Sequence, residues 1–530
     1  MFCAIIRTKI REQKFEKKIS MIYGGVFMYQ SRKNNNEIPY VLFGKLAALV
    51  LFMVALFQSI STNILTQPAY IVGLLVLIGM LALKKPWYEA LGSMIKAVVG
   101  YLIMSIGSGG FTSTFRPIVN ALASKFNITA SLIDTYTQQA QQMNPEDGFF
   151  VTNPDAMMYI MGSFVISIVV NFVLVALNKY TKIRTLYTTG HVLQSYSQIW
   201  IWFLALLNPA WYGWPYAIAI GIFAGVWASC GSNFTVEATQ NLTGGANFAV
   251  GHQEMAGIVL TDKLAPKLGK EEDSFENLQL PGWLSMFTDN VVSTSVLMFV
   301  FMGIVMAIIG KTTMMEFDGG LSAATWYVMY IFKTCVNFAV YMVVLLTGVR
   351  MMVGELSKAF HGFSDKLLKG AMPAVDCAVT YSFVSGSVPV LGFVMGLAGE
   401  LIGIAGLLIF KAPILLLPAF IPLFFDNATL ACFANKRGGR KAAIIIPLIN
   451  GLFQVVMSEL MLVFFEKGVG FHLNAWGAFF DNNTVLPALL VGAKYLTPIV
   501  WAIIFSVILL VLTQLYYKKH EEHYWDHTKE

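Results

Sequence analysis

Apolar runs long enough to cross a lipid bilayer follow one another from Pro68 to Leu515, and this sets the solvent in which the chain folds. Asp155 to Asn178, Val291 to Ile309 and Ala323 to Leu346 are examples. In hydrocarbon every backbone polar group must be satisfied within the chain, so these runs are expected to be helices and the fold an all-α polytopic membrane protein. Composition agrees: 12% of residues are charged, against about 25% in a soluble domain. A chain of 530 residues can supply on the order of ten spans. The net charge of +6 lies largely in an amino-terminal arm and in loop lysines, a positive-inside pattern and not a nucleic-acid footprint. The cysteines, Cys3, Cys230, Cys335, Cys377 and Cys432, form no CxxC pair and read as small buried side chains. There is no P-loop, Rossmann fingerprint, HExxH or Cys/His metal spacing, so no cofactor or metal is expected.

Residues 1–37 form a basic arm, cytoplasmic or interfacial. The membrane domain is expected over 38–515, as a first half (38–230), a central polar segment (231–290) and a second half (291–515), with 516–530 a solvated tail. Residues 38–63 fit either a span or an interfacial amphipathic helix. Helix breaks are expected at Gly107-Ser108-Gly109-Gly110 and at Ser385-Gly386-Ser387-Val388-Pro389, the second making a broken hairpin of Ala374 to Phe410. Arg350 to Lys369 reads as an amphipathic connector and Lys436 to Lys441 as a basic loop. GSGGFTSTFRPIVNAL in the first half loosely echoes GVRMMVGELSKAFHGF in the second, which points to an inverted repeat with a site between discontinuous helices.

Polar residues that sit badly in lipid carry the functional signal. Asp376 opens an apolar run and is either a functional carboxylate or the partner of a lysine in a neighbouring span. Thr380 lies one helical turn further on, where it can face the same cavity. His191, Gln194 and Ser195 share i, i+3, i+4 spacing, which suits a cavity wall or a helix–helix hydrogen bond. His252-Gln253 falls in the glycine-rich run GGANFAVGHQEM, and irregular backbone at membrane depth is tolerated only when buried in protein or lining a cavity. Imidazole, amide, hydroxyl and carboxylate together are what a hydroxyl-rich substrate needs. Gly107-Ser108-Gly109 would either expose helix amino termini to an anion or allow tight packing. Lys96, Lys333 and Lys411 read as snorkelling or span-end lysines, with Glu400 and Glu459 as their partners or as lining of a path.

An ordered set of motifs adds a resemblance. GSGGFTSTFRPIV, Ile133-Asp134-Thr135-Tyr136, TGHVLQ, GHQ…DKLAPKLGKEEDSFENLQLPGWLSMFTDN, DCAVTYSF and FIPLFFDNATLACFAN together resemble the ascorbate-specific permease (IIC) component of the bacterial phosphotransferase system, over about Gln67 to Gln514. The resemblance implies an interfacial helix followed by about eleven transmembrane helices, with re-entrant or broken hairpins, in a homodimer. Each protomer would have a V-motif domain at the dimer contact and a core domain that moves as an elevator. It implies import across the bacterial plasma membrane of L-ascorbate or a related hydroxylated anion. The substrate would be phosphorylated by a separate IIB protein, itself supplied by IIA. Substrate residues would be Ser108, Thr135, Tyr136, His191, His252, Gln253 and Asp376, with Pro418 and Phe420 nearby and Asp376 as acceptor of the reacting hydroxyl. The family's glutamine four residues after the first GH histidine is Ser195 here, with Gln194 before it, and its Pro-Gly-Phe is Pro418-Ala419-Phe420. Gln194 is expected to replace the missing amide only if the helix rotates. An uncoupled secondary transporter, or a IIC permease for another sugar or polyol, remains the alternative.

Overall fold

Helices make up most of the described residues, and five very short strands lie between them. The computed structural model describes residues 67–125, 131–142, 148–277, 290–362 and 368–526, with 59, 144 and 146. The chain divides into Met1–Ile60 and Ser61–Glu530, and every element below belongs to the second unit. The expectations for 1–37 and 38–63 fall outside the described residues, Ser59 apart, as does 278–289 of the central segment.

The first half runs α1 (Pro68–Ala82), α2 (Trp87–Lys125), β1 (Ser131–Ile133), α3 (Thr135–Gln142), α4 (Phe149–Thr152), α5 (Ala156–Ala176), α6 (Asn178–Thr181), β2 (Thr185–Tyr187), α7 (Gly190–Leu207), α8 (Trp214–Thr243), β3 (Ala249–Val250) and α9 (Met255–Leu268). The second half runs α10 (Asn290–Ile309), α11 (Lys311–Phe317), α12 (Tyr327–Gly362), β4 (Met372–Val375), a 3-10 segment Cys377–Phe383, α13 (Ser387–Ile409), β5 (Leu416–Pro418), α14 (Phe420–Val463), α15 (Phe480–Tyr495) and α16 (Pro498–Lys519). Seven described helices are long and apolar enough to cross a membrane, or eight if the bent pair α10–α11 is one span. The fold is thus an all-α polytopic membrane protein.

Two features explain why this count differs from about eleven. The segment α14 is two helices run together across a break at Gly439 (φ 64°), which falls within the expected basic loop. Its 44 residues make about 66 Å of helix at 1.5 Å per residue, enough for two crossings of a hydrocarbon core of about 30 Å. Helix α7 is not among the seven, because His191, Gln194, Ser195 and Gln198 dilute its apolar content.

Glycines read as breaks prove to be contacts. Helix α2 continues through Gly107–Gly110 to Lys125. A Cβ on Gly107 would stand 2.7 Å from both Leu345 N and Tyr341 O of α12, so the residue is needed for close approach of two helices. With no helix terminus at Gly107, the anion-binding reading of that segment falls. Gly396 and Gly451 meet in the same way between α13 and α14. Other boundaries move as well. Gly231–Thr243, placed in the polar segment, completes α8, and Arg350–Gly362, read as a connector, continues α12. The break before α13 stands where expected, after the 3-10 segment.

The tail is not simply solvated. Tyr516–Lys519 ends α16, and Tyr524 is 0% exposed. The Arg184 guanidinium lies 3.8 Å from the Tyr524 ring centroid and 3.5 Å from Glu237, and Asn233 Nδ2 donates to the Tyr524 hydroxyl at 2.7 Å. Burial raises the phenol above its ordinary value, with Arg184 opposing, so it keeps its proton and donates to the Lys182 carbonyl.

The strands form two parallel groups. In one the order is β2-β4-β3, pairing Thr185 with Met372, Tyr187 with Ala374 and Val250 with Val375. In the other, β1 pairs with β5, and Leu132 also bridges Ala475. Non-helical backbone inside a membrane protein must satisfy its own N–H and C=O groups, and parallel pairing of buried strands does so.

Candidate functional site

Parallel strands bring their carboxyl ends to one place, and here each end delivers a polar side chain. After β2 the chain turns through Thr188 and Thr189 into α7 at His191; after β3 come Gly251, His252 and Gln253; after β4 comes Asp376. The turns are tied down: Thr188 N and Oγ1 both donate to Ala374 O, at 3.0 and 2.7 Å, and Gly251 N donates to Val375 O at 2.8 Å. Three segments remote in sequence thereby meet. His191 Nε2 is 3.7 Å from Asp376 Oδ2, and the His191 and His252 rings are 5.9 Å apart. Asp376 also caps the 3-10 segment, accepting from Ala378 N at 3.0 Å.

These residues line a cavity of about 700 Å³. One wall is a face of α2, with Tyr101, Ser105, Gly109, Ser113, Arg116 and Asn120 at helical spacing, which only an unbroken helix could present. Leu345 of α12 extends that wall. The lining also includes His191, Gln194, Ser195 and Gln198 of α7 with His252, Gln253, Thr135 and Asp376, and Phe425 and Phe479 are apolar neighbours; Tyr101 of α2 reaches His191, its hydroxyl 3.5 Å from Nδ1. Gln194 and Ser195 both reach the cavity, so no rotation of α7 is needed to bring the amide in. Thr135 Oγ1, Ser195 Oγ and Gln253 Oε1 are buried and have no hydrogen-bond partner among the described residues.

Other expected residues are placed differently. The side chains of Ser108 and Tyr136 lie outside those described. Pro418 belongs to β5 and Phe420 stacks on Phe424 with centroids 4.9 Å apart; neither lines the cavity, whereas Ile421 and Phe425, further along α14, do. Thr380 turns away and donates to Cys377 O at 2.6 Å, because the segment is a 3-10 helix in which i and i+4 do not align. Asp134 accepts from Thr137 N and Oγ1, at 2.8 and 2.7 Å, and caps α3. Neither Glu400 nor Glu459 pairs with a lysine among the described residues. Cys230, Cys335, Cys377 and Cys432 are free and buried.

Two residues escaped the sequence reading. Glu254, 0% exposed, places Oε2 2.8 Å from His252 Nδ1. Asp481, also 0% exposed, accepts from Tyr196, Trp227 and Ala256 N. Glu254 is audible only as the fourth residue of GHQE, and Asp481 looks like an ordinary acidic first turn of α15. His191, His252 and Asp376, or His252, Glu254 and Cys377, hold potential metal-ligand atoms within 4.8 Å. The 2.8 Å His252–Glu254 separation is that of a direct hydrogen bond, closer than the about 3.3 Å between two ligands of a tetrahedral zinc.

A family described as the PTS system sugar-specific permease component (EIIC-GAT) matches residues 63–485. The chain belongs to this family. Among curated relatives, an ascorbate-specific PTS system EIIC component of Mycoplasma pneumoniae (strain ATCC 29342 / M129 / Subtype 1) is 30% identical over 434 residues. That match covers 76% of this chain and 66% of the relative, so the chain spans just under two thirds of the relative's length. The permease is therefore an integral membrane protein, and its cavity is the place to look for its substrate.

Proposed function

We propose that this permease imports L-ascorbate, or a closely related hydroxylated anion, coupled to phosphorylation by a separate IIB protein that IIA supplies. The observation that carries the reading is the set of polar residues lining one cavity: Thr135, Gln194, Ser195 and Gln253 beside His191, His252 and Asp376. Hydroxyl, amide, imidazole and carboxylate groups together match the donors and acceptors of a polyhydroxylated ligand. The curated relative's name supports ascorbate as the substrate. Asp376 is the acceptor for the reacting hydroxyl, whose oxygen attacks the phosphorus of the IIB phosphocysteine while the S–P bond breaks to the thiolate.

The movement is of elevator type, in which a body carrying the strand-borne residues shifts relative to α2 and α12, whose residues share the cavity lining. Asp376→Asn tests the site. A charge-assisted hydrogen bond contributes about 1.5–3 kcal/mol, so L-ascorbate affinity falls on the order of tenfold to a hundredfold in a folded protein. Unchanged affinity removes Asp376 from the site.

A further inference from the structure

Behind the cavity lies a carboxylate that the transport reading does not use. Glu254 Oε2 is 2.8 Å from His252 Nδ1, while Oε1 has no hydrogen-bond partner among the described residues. Glu254 is 0% exposed, and its 2.8 Å hydrogen bond is directed at that imidazole, with the Cys377 thiol as a further neighbour.

His252 is fixed from its other sides as well. The Tyr187 hydroxyl donates to its carbonyl at 3.5 Å, and Thr189 Oγ1 donates to the Gly251 carbonyl. Asp481 N donates to Gln253 O at 2.9 Å. The ring lies 5.6 Å from Phe479 and 5.9 Å from His191, centroid to centroid. With Nδ1 engaged by Glu254, Nε2 is the nitrogen left for the cavity.

An ionised carboxylate accepts hydrogen bonds and cannot donate them, so the proton between Glu254 and His252 belongs on Nδ1. A carboxylate behind a histidine fixes its tautomer and orientation and strengthens the far nitrogen as an acceptor. We propose that Glu254 is a positioning residue: it keeps the proton on His252 Nδ1 and so presents Nε2 to a hydroxyl of the transported substrate. The hydroxyl partner rests on the permease reading above; the tautomer does not.

The test uses the full chain, labelled with 15N at histidine, and reads the protonation of each ring nitrogen without substrate; His252 is assigned by difference from His252→Gln. The wild type shows Nδ1 protonated. In Glu254→Gln the amide can either accept from or donate to Nδ1, so the ring proton is no longer confined to Nδ1 and Nε2-protonated ring appears, and Glu254→Asp restores the wild-type pattern. L-ascorbate affinity falls on the order of tenfold or more in Glu254→Gln and recovers in Glu254→Asp. A side chain needed only for packing would not give this pattern, since glutamine has nearly the same shape. A bare Nδ1 in the wild type overturns the proposal, and this reading decides even if Glu254→Gln does not fold. An unchanged tautomer in Glu254→Gln also overturns it. A moved proton with unchanged affinity refutes the role toward substrate. If the tautomer behaves as stated but the wild type binds no ascorbate, the tautomer claim is supported and the ascorbate reading is refuted.

Discussion

Asp481→Asn probes how the site is held in place. Asp481 Oδ2 accepts from the Tyr196 hydroxyl at 3.3 Å and Trp227 Nε1 at 3.2 Å, and Oδ1 accepts from Ala256 N at 3.0 Å. Its own N–H donates to Gln253 O at 2.9 Å, which ties it to the loop bearing His252. Asparagine keeps the shape, but its NH2 must face one set of donors. Turned toward Ala256 it loses one hydrogen bond; turned the other way it opposes two. The smaller loss leaves one buried donor unpaired, about 1–3 kcal/mol, and converts two charge-assisted bonds to neutral ones, roughly 0.5–1.5 kcal/mol each. The sum is about 2–6 kcal/mol. Thermal unfolding of purified protein in detergent reads this as a melting temperature lower by a few degrees, with weaker L-ascorbate binding because the 251–253 loop loosens. A melting temperature and affinity both equal to wild type would refute Asp481 as the anchor of this loop.

Two further substitutions test the packing. Tyr524→Ala strips the ring from the buried Arg184 guanidinium, an aromatic truncation costing about 3 kcal/mol or more; limited proteolysis then cuts the carboxyl-terminal segment faster, and equal rates would contradict the docked tail. Gly451→Val drives a side chain into the Gly396 carbonyl and costs about 1–3 kcal/mol or more, whereas Gly406→Ala, in open space on α13, is neutral or slightly stabilising. Equal melting temperatures for the two variants would refute the α13–α14 contact.

The membrane-helical class was legible because apolar runs and their charged ends are local signals. His191, His252 and Asp376 stood out because imidazoles and carboxylates in apolar or glycine-rich runs demand a reason, and the structure brings them together. The strands that deliver them were not legible: each has two to four residues, too few to show alternation, and their partners lie far away in sequence. Gly107 has the same appearance whether it ends a helix or admits Leu345; only the approach of α12 decides. Tyr524 and Asp481 were missed for a related reason, since Arg184, Trp227 and Tyr196 are hundreds of residues away. The i, i+3, i+4 spacing of His191, Gln194 and Ser195 was legible as a cavity wall, and all three line the cavity.

The measurement closest to the central claim is uptake of labelled L-ascorbate into vesicles containing this permease, with and without phosphorylated IIB protein inside. The account predicts accumulation of ascorbate phosphate only when phosphorylated IIB is present, and loss of that accumulation in Asp376→Asn. Accumulation of unmodified ascorbate irrespective of IIB would contradict the coupling, and no uptake by the folded protein would contradict ascorbate as its substrate.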